Sequence, residues 1–126
     1  MRVFLGVLSL LGIIITSQCM TQEEIEYFTG LHRECGITDD VTDRAMAGNF
    51  PEDQQFKERL FCVSKKVGMQ DEDGLLLVKE VEDQMRRNVP DEEKVNQILS
   101  TCMVQLDTPE ETAYRAMKCI HKIKTS

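Results

Sequence analysis

The sequence predicts an all-α fold of about six short helices, and three observations carry that expectation. Apolar residues recur three and four positions apart in successive segments, which sets them on one face of a helix. Each segment opens on a helix-starting residue or follows a glycine or proline stop. Alternating apolar and polar runs joined by hairpin dipeptides, the mark of strands, are missing.

The first helix starts at Thr21, which forms a capping box with Glu24 ahead of Ile25, Phe28, Leu31 and Cys35. A short second helix fits Asp39 to Ala47 and stops at Gly48-Asn49. The third follows Pro51 and aligns Phe56, Leu60, Val63 and Val67, with Lys57, Glu58 and Lys65 turned elsewhere, until Gly68 ends it. Gly74 opens the fourth, whose Leu77, Val78, Val81 and Met85 share a stripe. Pro90 marks the start of the fifth, where Val95, Ile98, Leu99, Cys102 and Leu106 line a face. Thr108-Pro109-Glu110-Glu111 is the clearest start, combining an N-cap, a first-turn proline and a returning glutamate. It predicts a sixth helix with Ala113, Ala116, Met117, Ile120 and Ile123 inward. Nothing suggests a second domain, an internal repeat or a low-complexity segment.

Residues 1–19 read as a secretory signal peptide. Arg2 precedes the apolar stretch Val3 to Ile15, and Ser17 and Cys19 stand at the small-residue positions of a cleavage site, with the cut before Met20. The apolar run is shorter than the ~20 residues a membrane-spanning helix needs, and no later stretch approaches that length. The expectation is a secreted, extracellular domain over residues 20–126 with no membrane span.

Removing the leader takes away Cys19 and leaves Cys35, Cys62, Cys102 and Cys119. Four cysteines in a short secreted chain suggest two disulfides, and the sequence permits three pairings. Metal binding competes poorly, because there is no C-x-x-C or H-x-x-x-H and the only histidines are His32 and His121. Asp71-Glu72-Asp73-Gly74 invites a calcium-loop reading, but Met69 would then occupy the first, oxygen-donating position. The segment reads instead as a polar loop capping the fourth helix.

Without Arg2 the chain carries 14 basic against 22 acidic residues, a net of −8 with histidines neutral. That balance argues against nucleic acid and anionic membrane as partners. No nucleophile with an activating base is visible, so an enzyme is not expected, nor is a cofactor. His32 and His121 read as solvated residues without a partner motif.

The run Cys62-Val63-Ser64-Lys65-Lys66-Val67-Gly68-Met69, followed by Asp71-Glu72-Asp73-Gly74 and an apolar helix, resembles the segment after the third cysteine of insect odorant-binding proteins (pheromone and general odorant-binding proteins). The cysteine spacings agree, with 26, 39 and 16 residues between successive cysteines. Ala113-Tyr114-Arg115-Ala116-Met117-Lys118-Cys119 is similar to the approach to that family's sixth cysteine. Where six-cysteine members carry their second and fifth cysteines, this chain has Glu58 and Glu110. Both halves of one bridge are therefore replaced together, which makes the chain similar to the four-cysteine "minus-C" subgroup. The resemblance implies the pairs Cys35–Cys62 and Cys102–Cys119.

It also implies a bundle around an apolar pocket that carries a small hydrophobic molecule, an odorant, a pheromone or a similar volatile or lipid. Offsets from the cysteines transfer wall positions to Phe28, Phe56, Leu60, Met69, Leu76, Leu99, Ala116 and Ile120, with Phe50 added beside them. Ser64 matches a position that offers a hydroxyl to a ligand oxygen. The same apolar side chains would form a core in any helical bundle, and a helical serine often bonds back to the carbonyl one turn earlier. Met69, Met85 and Met117 suit a tolerant site and a gap-filled core alike.

The function expected from the resemblance is transport, in chemosensation or another body fluid, with a chemosensory receptor as a candidate protein partner. The rival is a secreted helical signalling or defence protein acting through its surface on another protein.

Overall fold

A computed structural model describes residues 21–126; the expected signal peptide, residues 1–19, lies outside the described residues. Six helices follow one another: α1 (Gln22–Glu34), α2 (Asp39–Met46), α3 (Gln54–Lys66), α4 (Val78–Asn88), α5 (Glu92–Thr101) and α6 (Pro109–Lys124). Among the described residues there is no strand, only an isolated bridge between Gln70 and Leu76.

Local chemistry sets most of the starts. The Thr21 hydroxyl accepts from the Glu24 amide at 3.1 Å while the Glu24 carboxylate accepts from the Thr21 amide at 2.9 Å, so the expected capping box is formed. Asp53 accepts from the Phe56 amide, Asp91 from those of Glu93 and Lys94, and Thr108 from that of Glu111. Each satisfies an amide that the helix itself leaves free.

Two boundaries differ from the periodic pattern. The segment after Gln70 does not cap α4, which begins at Val78 with no side-chain cap at Leu77. Asp71 Oδ1 instead accepts from the amides of Asp73 and Leu75, each at 2.9 Å, so the acidic loop closes on itself. At the other boundary α5 stops at Thr101, which leaves Leu106 in the connection to α6 and not on a fifth-helix face. There the Leu106 amide donates to the Thr112 hydroxyl at 2.9 Å, which ties the connection to the first turn of α6.

The disulfides join Cys35 to Cys62 and Cys102 to Cys119, the pairing the resemblance implied. The first ties the end of α1 to α3; the second ties the end of α5 to α6. In the chain-entropy view, loops of this length contribute about 3–3.5 kcal/mol each. Helix α6 packs against both α3 and α5, α4 against α5, and α1 against α2 and α3.

Side chains meet in two main regions. Leu31, Ile37, Ala45, Phe56, Leu60, Val63 and Tyr114 form the first, with Phe28 and Phe50 packed on it. Met69, Val81 and Ala116 form the second, surrounded by Leu76, Met85, Leu99, Met103 and Ile120. Val67 and Met117 touch both. A smaller group, Ile98, Cys102 and Ile123, shares Met85, Met103 and Ile120 with the second region.

Candidate functional site

The ten expected pocket residues fall on either side of the seam that Val67 and Met117 bridge. Phe28, Phe50, Phe56 and Leu60 belong to the first region. Met69, Leu76, Leu99, Ala116 and Ile120 belong to the second. Ser64 lies four residues after Leu60 and three before Val67 on α3, so helical spacing puts it on the face that reaches the seam.

On the first side the geometry is fixed by rings. Phe50, Phe56 and Tyr114 stand edge to face with centroids 6.2 to 6.4 Å apart, the arrangement their quadrupoles favour. The Tyr114 hydroxyl donates to the Phe50 carbonyl at 3.3 Å, which anchors the connection between α2 and α3 onto α6.

His32 is a correction to the sequence reading, being buried on α1 instead of solvated. Its Nδ1 lies 2.6 Å from the Phe28 carbonyl, one turn back, and with the proton on Nδ1 it donates to that oxygen. Burial lowers its pKa below the usual histidine value, against the opposing pull of that hydrogen bond. His121 is half-buried with its ring 5.7 Å from that of Phe50. Its pKa is lowered too, chiefly by burial and then by Lys124.

On the second side the side chains are longer and softer. Met69, Val81 and Ala116 are covered, whereas Leu76, Met85, Leu99, Met103, Met117 and Ile120 keep part of their surface open to solvent. The result is an apolar wall on which Met85, Met103 and Met117 stand among Leu76, Leu99 and Ile120, and thioethers change rotamer at little cost.

Ser64 is fully buried, and its Oγ has no hydrogen-bond partner among the described residues. The back-bond to the preceding turn is therefore not made. An orphaned buried hydroxyl costs about 1–3 kcal/mol. Thr42 Oγ1 and Gln70 Oε1 share that condition elsewhere.

The expected residues do not enclose a ready-made hollow in either of the two best-formed clefts. One, of about 360 Å³, lies on the outward face of α6 beside Leu106 and Lys118. The other, of about 190 Å³, lies between α2 and the start of α3, and of the ten residues only Phe56 borders it. Tyr114, Val67 and Met103 take part in this arrangement without having been expected as wall residues. Val67 was visible on the α3 stripe, but Met103 follows the end of α5, where helical periodicity no longer reports orientation.

Residues 16–123 match the PBP/GOBP family. The chain belongs to that family. Its members are binding proteins of the insect odorant-binding class. The "B1 protein" of Tenebrio molitor is 31% identical over 121 residues, 93% of this chain and 93% of its own. The "B2 protein" of the same beetle is 28% identical over 116 residues, 89% of this chain and 91% of its own. No solved structure matches this PBP/GOBP chain with significance.

Proposed function

We propose that this PBP/GOBP protein is a secreted carrier that takes up small hydrophobic molecules of the odorant or pheromone kind. The guest lodges between the aromatic region and the methionine wall. The observation that carries the reading is that wall: Leu76, Met85, Leu99, Met103, Met117 and Ile120 pack on the core yet stay partly open inside a doubly cross-linked frame. Each guest CH₂ buried there contributes about 0.8 kcal/mol, and micromolar affinity requires about 8 kcal/mol. A medium-sized volatile reaches that range without a charged contact. Ser64 then donates to an alcohol, aldehyde or ester oxygen.

Secretion follows from the signal peptide read in residues 1–19, and the two disulfides are consistent with an oxidising compartment. We further place the chain in the four-cysteine subgroup. Next to Glu58 and Glu110, the residues that replace the missing bridge, Lys57 and Glu111 form an ion pair of 2.7 Å between α3 and α6. A reversible contact stands beside the position where six-cysteine relatives have a covalent one.

The test is displacement of the fluorescent probe N-phenyl-1-naphthylamine by a series of volatiles. Saturable micromolar uptake and displacement by medium-chain alcohols and aldehydes are expected. Ser64→Ala weakens 1-octanol about 2- to 10-fold, the worth of one neutral hydrogen bond, and leaves the probe itself unchanged. Absence of saturable uptake contradicts the carrier reading and favours action through the surface.

A further inference from the structure

The outward face of α6 carries a second feature that the carrier reading does not use. Arg115, Lys118 and Lys122 recur at three- and four-residue steps, which stacks them along one side of the helix. All three line the cleft of about 360 Å³, whose floor is mostly apolar. Leu106, the Tyr114 ring and the Cys119 end of the second disulfide supply that floor. The volume falls within the ~300–1,000 Å³ range of small-molecule sites.

The charge arrangement sets the sign of the occupant. None of the three cations has an ion-pair partner among the described residues, although acids outnumber bases in the chain by 22 to 15. Glu111 is the one carboxylate lining the cleft, and Lys57 already holds it at 2.7 Å. Lys118 Nζ sits 5.4 Å from the centre of the Tyr114 ring, so the cationic rim and the apolar floor meet at one point. The cleft thus presents unpaired positive charge directly above covered apolar surface.

We propose that this cleft is a second binding site, separate from the interior, for a small amphipathic carboxylate. Its head lies between Lys118 and either Arg115 or Lys122, and its hydrocarbon lies over Leu106 and Tyr114. A small ligand is favoured over an anionic membrane because the rest of the chain is strongly acidic. The site takes the charged counterpart of the neutral guests held inside, so one carrier handles both through different chemistry.

The experiment is an amide-resolved NMR titration of the whole secreted chain with monomeric dodecanoate and, in parallel, 1-dodecanol. Dodecanoate is expected to shift amides of residues 101–106 and 115–122, and to bind more weakly when ionic strength rises from about 0.02 to 0.5 M. The exposed triple change Arg115→Gln, Lys118→Gln, Lys122→Gln weakens that response at least tenfold and leaves the 1-dodecanol response in place. The single Lys118→Gln gives an intermediate loss in a less altered chain. Equal dodecanoate affinity in the triple variant overturns the proposal, as do shifts confined to the interior residues. Binding to phosphatidylserine vesicles without any response to monomeric dodecanoate overturns it in favour of a membrane surface. Loss of the 1-dodecanol response alone counts against the interior carrier site and not against this one.

Discussion

The aromatic and methionine regions of this small protein are closed by different means. Around Phe50, Phe56 and Tyr114, three rings lock edge to face and a tyrosine hydroxyl bonds to a backbone carbonyl. Around Met69, Met85, Met103 and Met117 the closure is by unbranched side chains, three of them still partly open to solvent. That second region is held in place by polar clasps at its margin. Gln70 Nε2 donates to the carbonyls of Gly74 and Pro109, and Gln105 donates to Gly74 while accepting from the Leu76 amide. The contrast is between ring-on-ring packing, whose geometry is specific, and unbranched thioethers, which repack at little cost.

Truncation separates the two regions most sharply. Phe56→Ala removes a ring that is 4% exposed and is expected to cost about 3–5 kcal/mol in urea unfolding. Met117→Ala, at a half-buried position, should cost only about 1–2 kcal/mol but change the ranking of ligands in the displacement assay. Equal costs at the two positions break the comparison.

Next in size is the margin of the methionine region. Gly74 has φ +88°, and a Cβ built there meets Pro109 at 2.5 Å, so Gly74→Ala combines left-handed strain with a clash against the start of α6. A loss of about 2–4 kcal/mol is expected by the same measurement. Gly48→Ala has similar strain at φ +96° but its nearest neighbour is 4.0 Å away, and about 1 kcal/mol is expected.

Acidification tests the aromatic region. Both histidines there have folded-state pKa values below the ordinary 6.5, so the unfolded chain takes up protons first as pH falls. Their contribution is complete above 6.5 and is lost as pH drops from there through the lower folded values. The Tm should decline across that window, with hydrogen exchange quickening in α1 before α5. His32→Gln should flatten the decline, and an unchanged slope removes His32 as its source. The smallest effect is a gain. Gly30 lies inside α1 with nothing within 4 Å of an added Cβ, so Gly30→Ala should stabilise by about 0.5–1 kcal/mol.

The frame was largely legible because its signals are local. Thr21 with Glu24 and Thr108 with Pro109 act within one turn, and four of the six helices, α1, α3, α5 and α6, open on a side-chain cap of that kind. The pairing of the cysteines came from the family resemblance and not from the stripes. What escaped the sequence depends on distant partners. Gln70 reaches a carbonyl 39 positions away, and Leu106 is held by Thr112 in the first turn of α6. His32 is an intermediate case: it lies four residues after Phe28 and three before Cys35, so its place on the apolar face was readable, but its polarity argued for solvent. The expected wall residues other than Ser64 were legible as apolar positions; which of them stay partly open depends on how the helices meet.

The most direct test of the account is NMR of the methionine ε-methyl groups during titration with a neutral volatile such as 1-octanol. Met69, Met85, Met103 and Met117 should shift together and saturate, while Met46, on α2 outside the methionine region, stays still. Saturable binding that leaves those four methyls unmoved, or moves Met46 alone, contradicts the proposal that the guest lodges against the methionine wall.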